Sequence, residues 1–218
     1  MSISVVTGAN RGIGLELTKQ LAARGASVVA LCRKSSPELD ALGVRVESGV
    51  DVSKPESVAA LAKRLEPIEL LINNAGVLRA DSLSDASPAT VLEQFQVNAL
   101  GPLLVTQALA PLMQKGAKLA LVTSRMGSIA DNTSGGYYGY RMSKAALNAC
   151  GKSLALDLAP RGIAVIILHP GFVRTEMTGN NGLVDPKESA AGLLAQIDAL
   201  TPDATGSFRH MNGDALPW

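Results

Sequence analysis

Short runs that are apolar throughout alternate along this chain with longer stretches whose apolar residues return every three or four positions. The runs ISVVT (3–7), SVVALC (27–32), VRVESGV (44–50), IELLINNAG (68–76), AKLALVTS (117–124) and IAVIILH (163–169) read as strands, with a short seventh near 206–210. Between them, 15–25 reads as a helix with Leu17 and Leu21 on one face and Gly25 as its stop. Ser53, followed three residues later by Glu56, predicts a capping box at the start of the next helix, with Pro55 tolerated in its first turn. Pro88 to Met113 reads as one long helix or two, a further helix runs from the tyrosines near 138 to about Pro160, and another covers 186–200. Strands without polar alternation are buried on both faces. Joined by helices, they predict a parallel sheet covered on both sides, a doubly wound α/β fold forming one domain over 1–218.

Length and composition fit that picture and narrow the function. A chain of 218 residues, 47% hydrophobic, without repeats or a low-complexity linker, suits a single core. The 20 basic and 19 acidic residues are spread along the chain, leaving no basic face for nucleic acid and no polybasic segment for a membrane. The most apolar helical stretch, VNALGPLLVTQALAPLM, holds Asn98, Gln107 and two prolines, and reads as a buried helix. MSISVVT passes directly into a strand, with no room for a signal peptide, so a cytoplasmic location is expected. Cys32 and Cys150 lie apart in apolar contexts and read as buried free thiols. His169 and His210 read as isolated, forming no ligand cluster with them.

In a doubly wound sheet, ligands bind beyond the carboxyl ends of the strands, and the polar residues of interest fall there. After the first strand, TGANRGIG places glycines at 8, 12 and 14 before a helix, where backbone N–H groups can approach a pyrophosphate; the same glycines would also make an ordinary tight turn. At the end of the second strand stand Cys32, Arg33 and Lys34, where an NAD site would place an acid. With Arg11 in the glycine turn, these cations favour a 2′-phosphate over the other reading, in which Arg33 is a solvated loop residue. Asp51 follows the third strand and NNAG (73–76) the fourth. Asn98, among Val97, Ala99 and Leu100, needs a partner if buried. Ser124 ends the fifth strand, and Ser128 lies four residues on.

All three tyrosines, Tyr137, Tyr138 and Tyr140, sit in SGGYYGYRMSK, and only Tyr140 has a lysine, Lys144, four residues ahead on the same helical face.

Together, TGANRGIG, Asp51-Val52, NNAG, Val97-Asn98, YRMSK (140–144) and PGFVRT (170–175) resemble the short-chain dehydrogenase/reductase family, in its order and at its distances over almost the whole chain. NTSGGYYGYRMSKAALN and the ending GSFRHMNGDALPW are similar to its NADPH-dependent carbonyl reductases of the sniffer and C-signal type. The resemblance implies a Rossmann fold, NADPH/NADP+ as cofactor, and a small-molecule carbonyl substrate. It implies Tyr140 as acid/base, Ser124 holding the substrate oxygen, Lys144 on the nicotinamide ribose and Asn98 anchoring a proton-relay water. Cofactor contacts are implied for Gly8, Asn10, Arg11, Gly12, Ile13, Gly14 and Arg33; for Asp51 and Val52 at the adenine; and for Asn74, Ala75, Gly76, Tyr140, Lys144, Pro170, Gly171, Val173 and Thr175. Ser124 stands sixteen residues before Tyr140, a few more than the family usually has, so Ser128 is nearer the usual count. Family members usually pair helices such as Leu103–Met113 and Ala145–Leu158, both apolar on more than one face, so a homodimer or homotetramer is implied.

A lysine cation about 4–5 Å from a phenolate stabilises it by up to roughly 4 kcal/mol at an effective dielectric of about 20. Lys144 is therefore expected to hold Tyr140 below its ordinary value near 10. Phe172, Met177 and Leu183 suggest an apolar cover that admits many aldehydes and ketones. A cofactor-sensing regulatory protein on the same fold is the other reading.

Overall fold

Seven strands pair side by side, all parallel, in the order β3-β2-β1-β4-β5-β6-β7. The computed structural model describes residues 2–218. The strands are β1 (Ile3–Thr7), β2 (Val28–Leu31), β3 (Arg45–Glu47), β4 (Ile68–Asn73), β5 (Met113–Val122), β6 (Ala164–His169) and β7 (Ser207–His210). The α-helices are α1 (Gly12–Ala23), α2 (Pro37–Asp40), α3 (Pro55–Ala62), α4 (Pro88–Phe95), α5 (Gly101–Leu109), α6 (Tyr138–Leu158) and α7 (Pro186–Asp198). This is the Rossmann-type architecture the apolar runs imply.

Side chains alternate between the two faces, and both faces are covered. Val5, Val29, Leu71, Leu119, Leu121, Val165 and Ile167 pack with Val58 and Leu61 of α3, Val105 and Leu109 of α5, and Leu147 and Ala155 of α6. Val6, Ala30, Ile72, Ala120, Ile166 and Leu168 pack on the other side with Leu17 and Leu21 of α1 and Leu193, Leu194 and Ile197 of α7. Removing such a side chain from water is worth about 1.5–3 kcal/mol, so the burial pattern alone sets which way each strand faces. No helix among the described residues is long and apolar enough to cross a membrane.

Several local expectations give way to tertiary contacts. Ser53 does not cap α3: its hydroxyl and its N–H both bond Asp51 Oδ1, at 2.7 and 3.0 Å, and Lys54 takes the cap position without a side-chain bond. A nearby carboxylate wins the hydroxyl from the helix. The stretch 88–113 is not one continuous α-helix. Ser87 caps α4, a π-helical turn covers Gln96–Leu100, and α5 ends at Leu109, so Met113 already belongs to β5. The pairing of β4 with β5 then slips, Ile68 facing Met113 and Leu70 facing Lys118. Cys32 is buried, but Cys150 is only half-buried; both are free. His169 and His210 are not isolated. They face each other across β6 and β7, which brings their rings edge to face at 5.0 Å.

Candidate active site

The carboxyl ends of the strands open onto a cleft of about 520 Å³, a size that suits a bound small molecule. It is lined by Gly8, Asn10, Arg11, Gly12, Ile13 and Gly14 after β1, Arg33 and Lys34 after β2, Asp51 and Val52 after β3, and Asn74, Ala75 and Gly76 after β4. Tyr140, Lys144, Pro170 and Thr175 close its far end. Of the other site candidates, Asn98 and Ser124 are buried and are not part of that lining. Val173 is buried, held by a bridge to Val184, and Gly171 beside it does not line the cleft.

The glycine turn is a tight piece of packing. A Cβ on Gly14 would come within 2.2 Å of the Gly8 carbonyl oxygen and 2.5 Å of Asn74 Nδ2, so no larger residue fits. Thr7 ties this turn to NNAG: its Oγ1 accepts the N–H of Asn74 at 2.9 Å and of Ala75 at 3.0 Å, and Asn74 Nδ2 donates to the Thr7 carbonyl at 3.0 Å. A threonine ending a strand gives no such signal in sequence, because its partners lie in the next-but-two strand.

At the end of β2 no acid faces the cleft; Arg33 and Lys34 are exposed there. Arg11 is ion-paired with Glu176, both side chains largely exposed, so the pair spans the cleft from the β1 loop to the β6 loop. Glu176 is a cleft residue that sequence reading missed. Asp51 sits below its ordinary value: burial pushes it up, but the two Ser53 hydrogen bonds and the charges of Arg33 and Lys54 outweigh that.

Tyr140, Lys144 and Ser124 are 8%, 4% and 7% exposed. α6 sets the tyrosine and lysine one turn apart, with Lys144 Nζ 5.7 Å from the ring centroid. Nζ donates to the Val122 carbonyl, at the end of β5, at 3.0 Å. The consequence runs against the expected activation. Burial pushes Tyr140 up to about 12, the hydrogen bond with Ser124 pulling the other way, and burial pushes Lys144 down to about 8. Desolvation outweighs attraction between the two groups because neither charge is solvated and the ammonium is engaged elsewhere.

Between the two serine candidates, the geometry separates the environments. Ser124 shares a hydrogen bond with the Tyr140 phenol and accepts the Met126 N–H at 3.1 Å, whereas the Ser128 hydroxyl is taken by the Asp131 N–H at 3.1 Å. Asn98 is fully buried in the π turn, and its amide finds the partners such burial demands. Oδ1 accepts the Val77 N–H at 2.8 Å, while Nδ2 donates to the Val77 carbonyl at 2.8 Å and to Ser143 Oγ at 3.0 Å. Tyr137, in a left-handed conformation (φ 53°), and Tyr138 are each more than a third exposed, unlike Tyr140.

Comparison with known proteins agrees with this geometry. Residues 2–183 match the family model described as short chain dehydrogenase. The 1-hydroxy-2-glutathionyl-2-methyl-3-butene dehydrogenase of Rhodococcus sp. (strain AD45) is 42% identical, with all of both chains covered. The C-signal protein of Myxococcus xanthus is 46% identical over 70% of this chain and 93% of its own length. Among solved structures, the NADPH-bound carbonyl reductase from chicken fatty liver superposes with a TM-score of 0.90 at 30% identity, all of both chains covered. With a matched model over most of its length and this arrangement at its strand ends, the chain belongs to the short-chain dehydrogenase family of oxidoreductases.

Proposed function

We propose that the protein reduces an aldehyde or ketone at the expense of NADPH, with Tyr140 giving the proton to the carbonyl oxygen. The observation that carries this reading is the pairing of two buried hydroxyls, Tyr140 and Ser124, at the end of the glycine-lined cleft, with Lys144 one turn away. Gly8, Gly12 and Gly14 line the cleft at the start of α1 without side chains between backbone and ligand, which fits a pyrophosphate, and Arg33 and Lys34 at the end of β2, where no acid stands, fit a 2′-phosphate. Asp51 and Val52 would flank the adenine, Asn10, Ile13 and Asn74 to Gly76 the middle of the dinucleotide, Lys144 the nicotinamide ribose, and Pro170, Gly171, Val173 and Thr175 the nicotinamide amide. Bound NADPH supplies hydride to the carbonyl carbon. Tyr140, held up to about 12, stays protonated throughout the neutral range, so the proton is in place before the substrate arrives. Ser124 is placed to hold the substrate oxygen against that phenol, and Asn98 to keep the floor behind it fixed.

The exposed Phe172, Met177 and Leu183 around the mouth favour apolar carbonyl compounds. Leu92, Phe95 and Leu156, left exposed on α4 and α6, suit pairing of these helices between copies, as a homodimer or homotetramer. The regulatory alternative keeps some support from the C-signal relative. A panel of aldehydes and ketones with NADPH loss as the readout decides between them. Tight NADPH binding without turnover of any carbonyl would favour the regulator.

Cofactor choice is tested separately. Each charge-assisted bond to the 2′-phosphate is worth about 1.5–3 kcal/mol, so NADPH should be preferred over NADH by more than about tenfold. Arg33→Asp should erase or invert that ratio in kcat/KM, and an unchanged ratio would mean that Arg33 faces solvent only.

A further inference from the structure

We infer that Asp81 is a positioning residue for Tyr140, acting as a helix cap supplied from a distant segment; the inference rests on reading Tyr140 as the acid. The first N–H groups of a helix have no partner inside it. In α6 the residue at the cap position, Tyr137, offers no side-chain bond. The Asp81 carboxylate takes the N–H of Tyr138 with Oδ1 and that of Gly139 with Oδ2, the latter at 3.1 Å, and the Asp81 carbonyl accepts the Tyr137 N–H at 2.8 Å. Three consecutive N–H groups, ending one residue before Tyr140, are therefore fixed by one residue of the β4–α4 loop. A carboxylate there also meets the positive end of the helix dipole.

The surroundings are built for this contact. Gly139 leaves the room: a Cβ on it would stand 3.2 Å from Asp81 Oδ2 and 2.4 Å from Gln94 Nε2. Gln94, fully buried on α4, holds the same loop by accepting the Arg79 N–H at 2.9 Å. On the far side of Tyr140, Asn98 ties Val77 of that loop to Ser143. The loop is thus stitched to α6 both before and after the tyrosine. The segment entering the helix cannot supply the hold itself, because Gly135 and Gly136 both adopt positive φ and precede a left-handed Tyr137. α6 has 21 residues, and its Leu147, Ala155 and Leu158 are buried in the core, so losing the cap loosens the first turn without melting the helix.

Misplacing a reacting group by about 1 Å costs about 10²-fold in rate. Asp81→Ala should lower kcat by about 10- to 100-fold while NADPH affinity changes by less than about twofold. Asp81→Asn, which keeps one of the two acceptor oxygens and loses the charge, should recover part of the loss. In a Tyr140→Phe background, Asp81→Ala should cost little more, because the group it positions is gone. Hydrogen exchange at the amides of residues 138 and 139 should speed up in Asp81→Ala, with those of the helix centre unchanged. Wild-type kcat in Asp81→Ala, an equal further loss in the Tyr140→Phe background, or unchanged exchange at 138 and 139 would each overturn the inference. Should Asp81→Ala not fold, Asp81→Asn is read by the same kinetics and exchange, and a fall in its NADPH affinity parallel to kcat would also overturn it. A wild-type protein that turns over no carbonyl defeats the functional reading instead, and the exchange data still decide whether Asp81 holds the turn.

Discussion

Tyr140→Phe is expected to lower carbonyl reduction by about 10²–10⁴-fold, the usual worth of a positioned acid, with the fold intact. The substitution removes one oxygen and leaves in place a ring that is only 8% exposed. Ser124 loses its phenol partner but keeps its bond from the Met126 N–H, so the loop after β5 should hold. NADPH should still bind, since its proposed contacts lie mostly in the glycine turn and at the end of β2. Tyr137→Phe and Tyr138→Phe serve as internal controls. Their phenols are partly exposed and without the Ser124 partner, so they should alter KM more than kcat. The decisive measurement is kcat for the three variants on one aldehyde, with circular dichroism to follow the fold. Loss of turnover in Tyr138→Phe and not in Tyr140→Phe would show the assignment to be wrong.

Lys144→Met should cost at least as much activity, and its effect on stability should have the opposite sign. Methionine fills a similar volume without the charge. Burial holds Lys144 at about 8 against an ordinary 10.5. The native state therefore binds fewer protons than the unfolded chain between those values, and wild-type stability should rise as pH increases through that window. The ammonium costs the folded protein stability at neutral pH, partly offset by the bond it donates to Val122. Lys144→Met should lack the rise and should not melt lower than wild type at pH 7, even though turnover falls. The same titration appears in the wild-type activity: the cation proposed to grip the ribose is present below about pH 8 and lost above it. NADPH affinity should weaken as pH rises past that point, and in Lys144→Met it should be weak and flat. A wild-type affinity without that limb would remove the lysine from the ribose site.

The sequence made the strands and most helices legible because each depends on local pattern: apolar runs for β1, β2, β4, β5 and β6, and Tyr140 with Lys144 on one helical face. The glycine turn and NNAG were equally readable, since a strand before and a break after mark them. What stayed hidden depends on partners remote in the chain. Glu176 reaches Arg11 across 165 positions, and Asp81 reaches Tyr138 across 57. Thr7 meets Asn74 only because β4 lies beside β1, and His169 meets His210 only because β7 lies beside β6. Ser53 is the instructive failure: the motif for a cap is present, but Asp51 two residues earlier competes for the same hydroxyl. The height of Tyr140's proton affinity was also out of reach, because it is set by how deeply the phenol is buried and by its contact with Ser124, sixteen residues back.

The π turn at Gln96–Leu100 makes chain length itself a functional parameter. A turn of this kind carries one residue more than an α-helix needs. Deleting any one of the five would let α4 run straight into α5 with regular bonding, and would leave α5 near its present rotation, because the turn already takes up the extra residue within itself. The change would fall on the turn itself: Asn98, or whatever replaced it, would leave Val77 and Ser143, while Val105 and Leu109 kept their places against the sheet. An extra residue elsewhere could not compensate, since only a residue bulged at this point carries an amide to Val77 and Ser143. This segment should therefore tolerate many changes of side chain and almost none of length, a constraint that gaps in related sequences, more than their letters, would record.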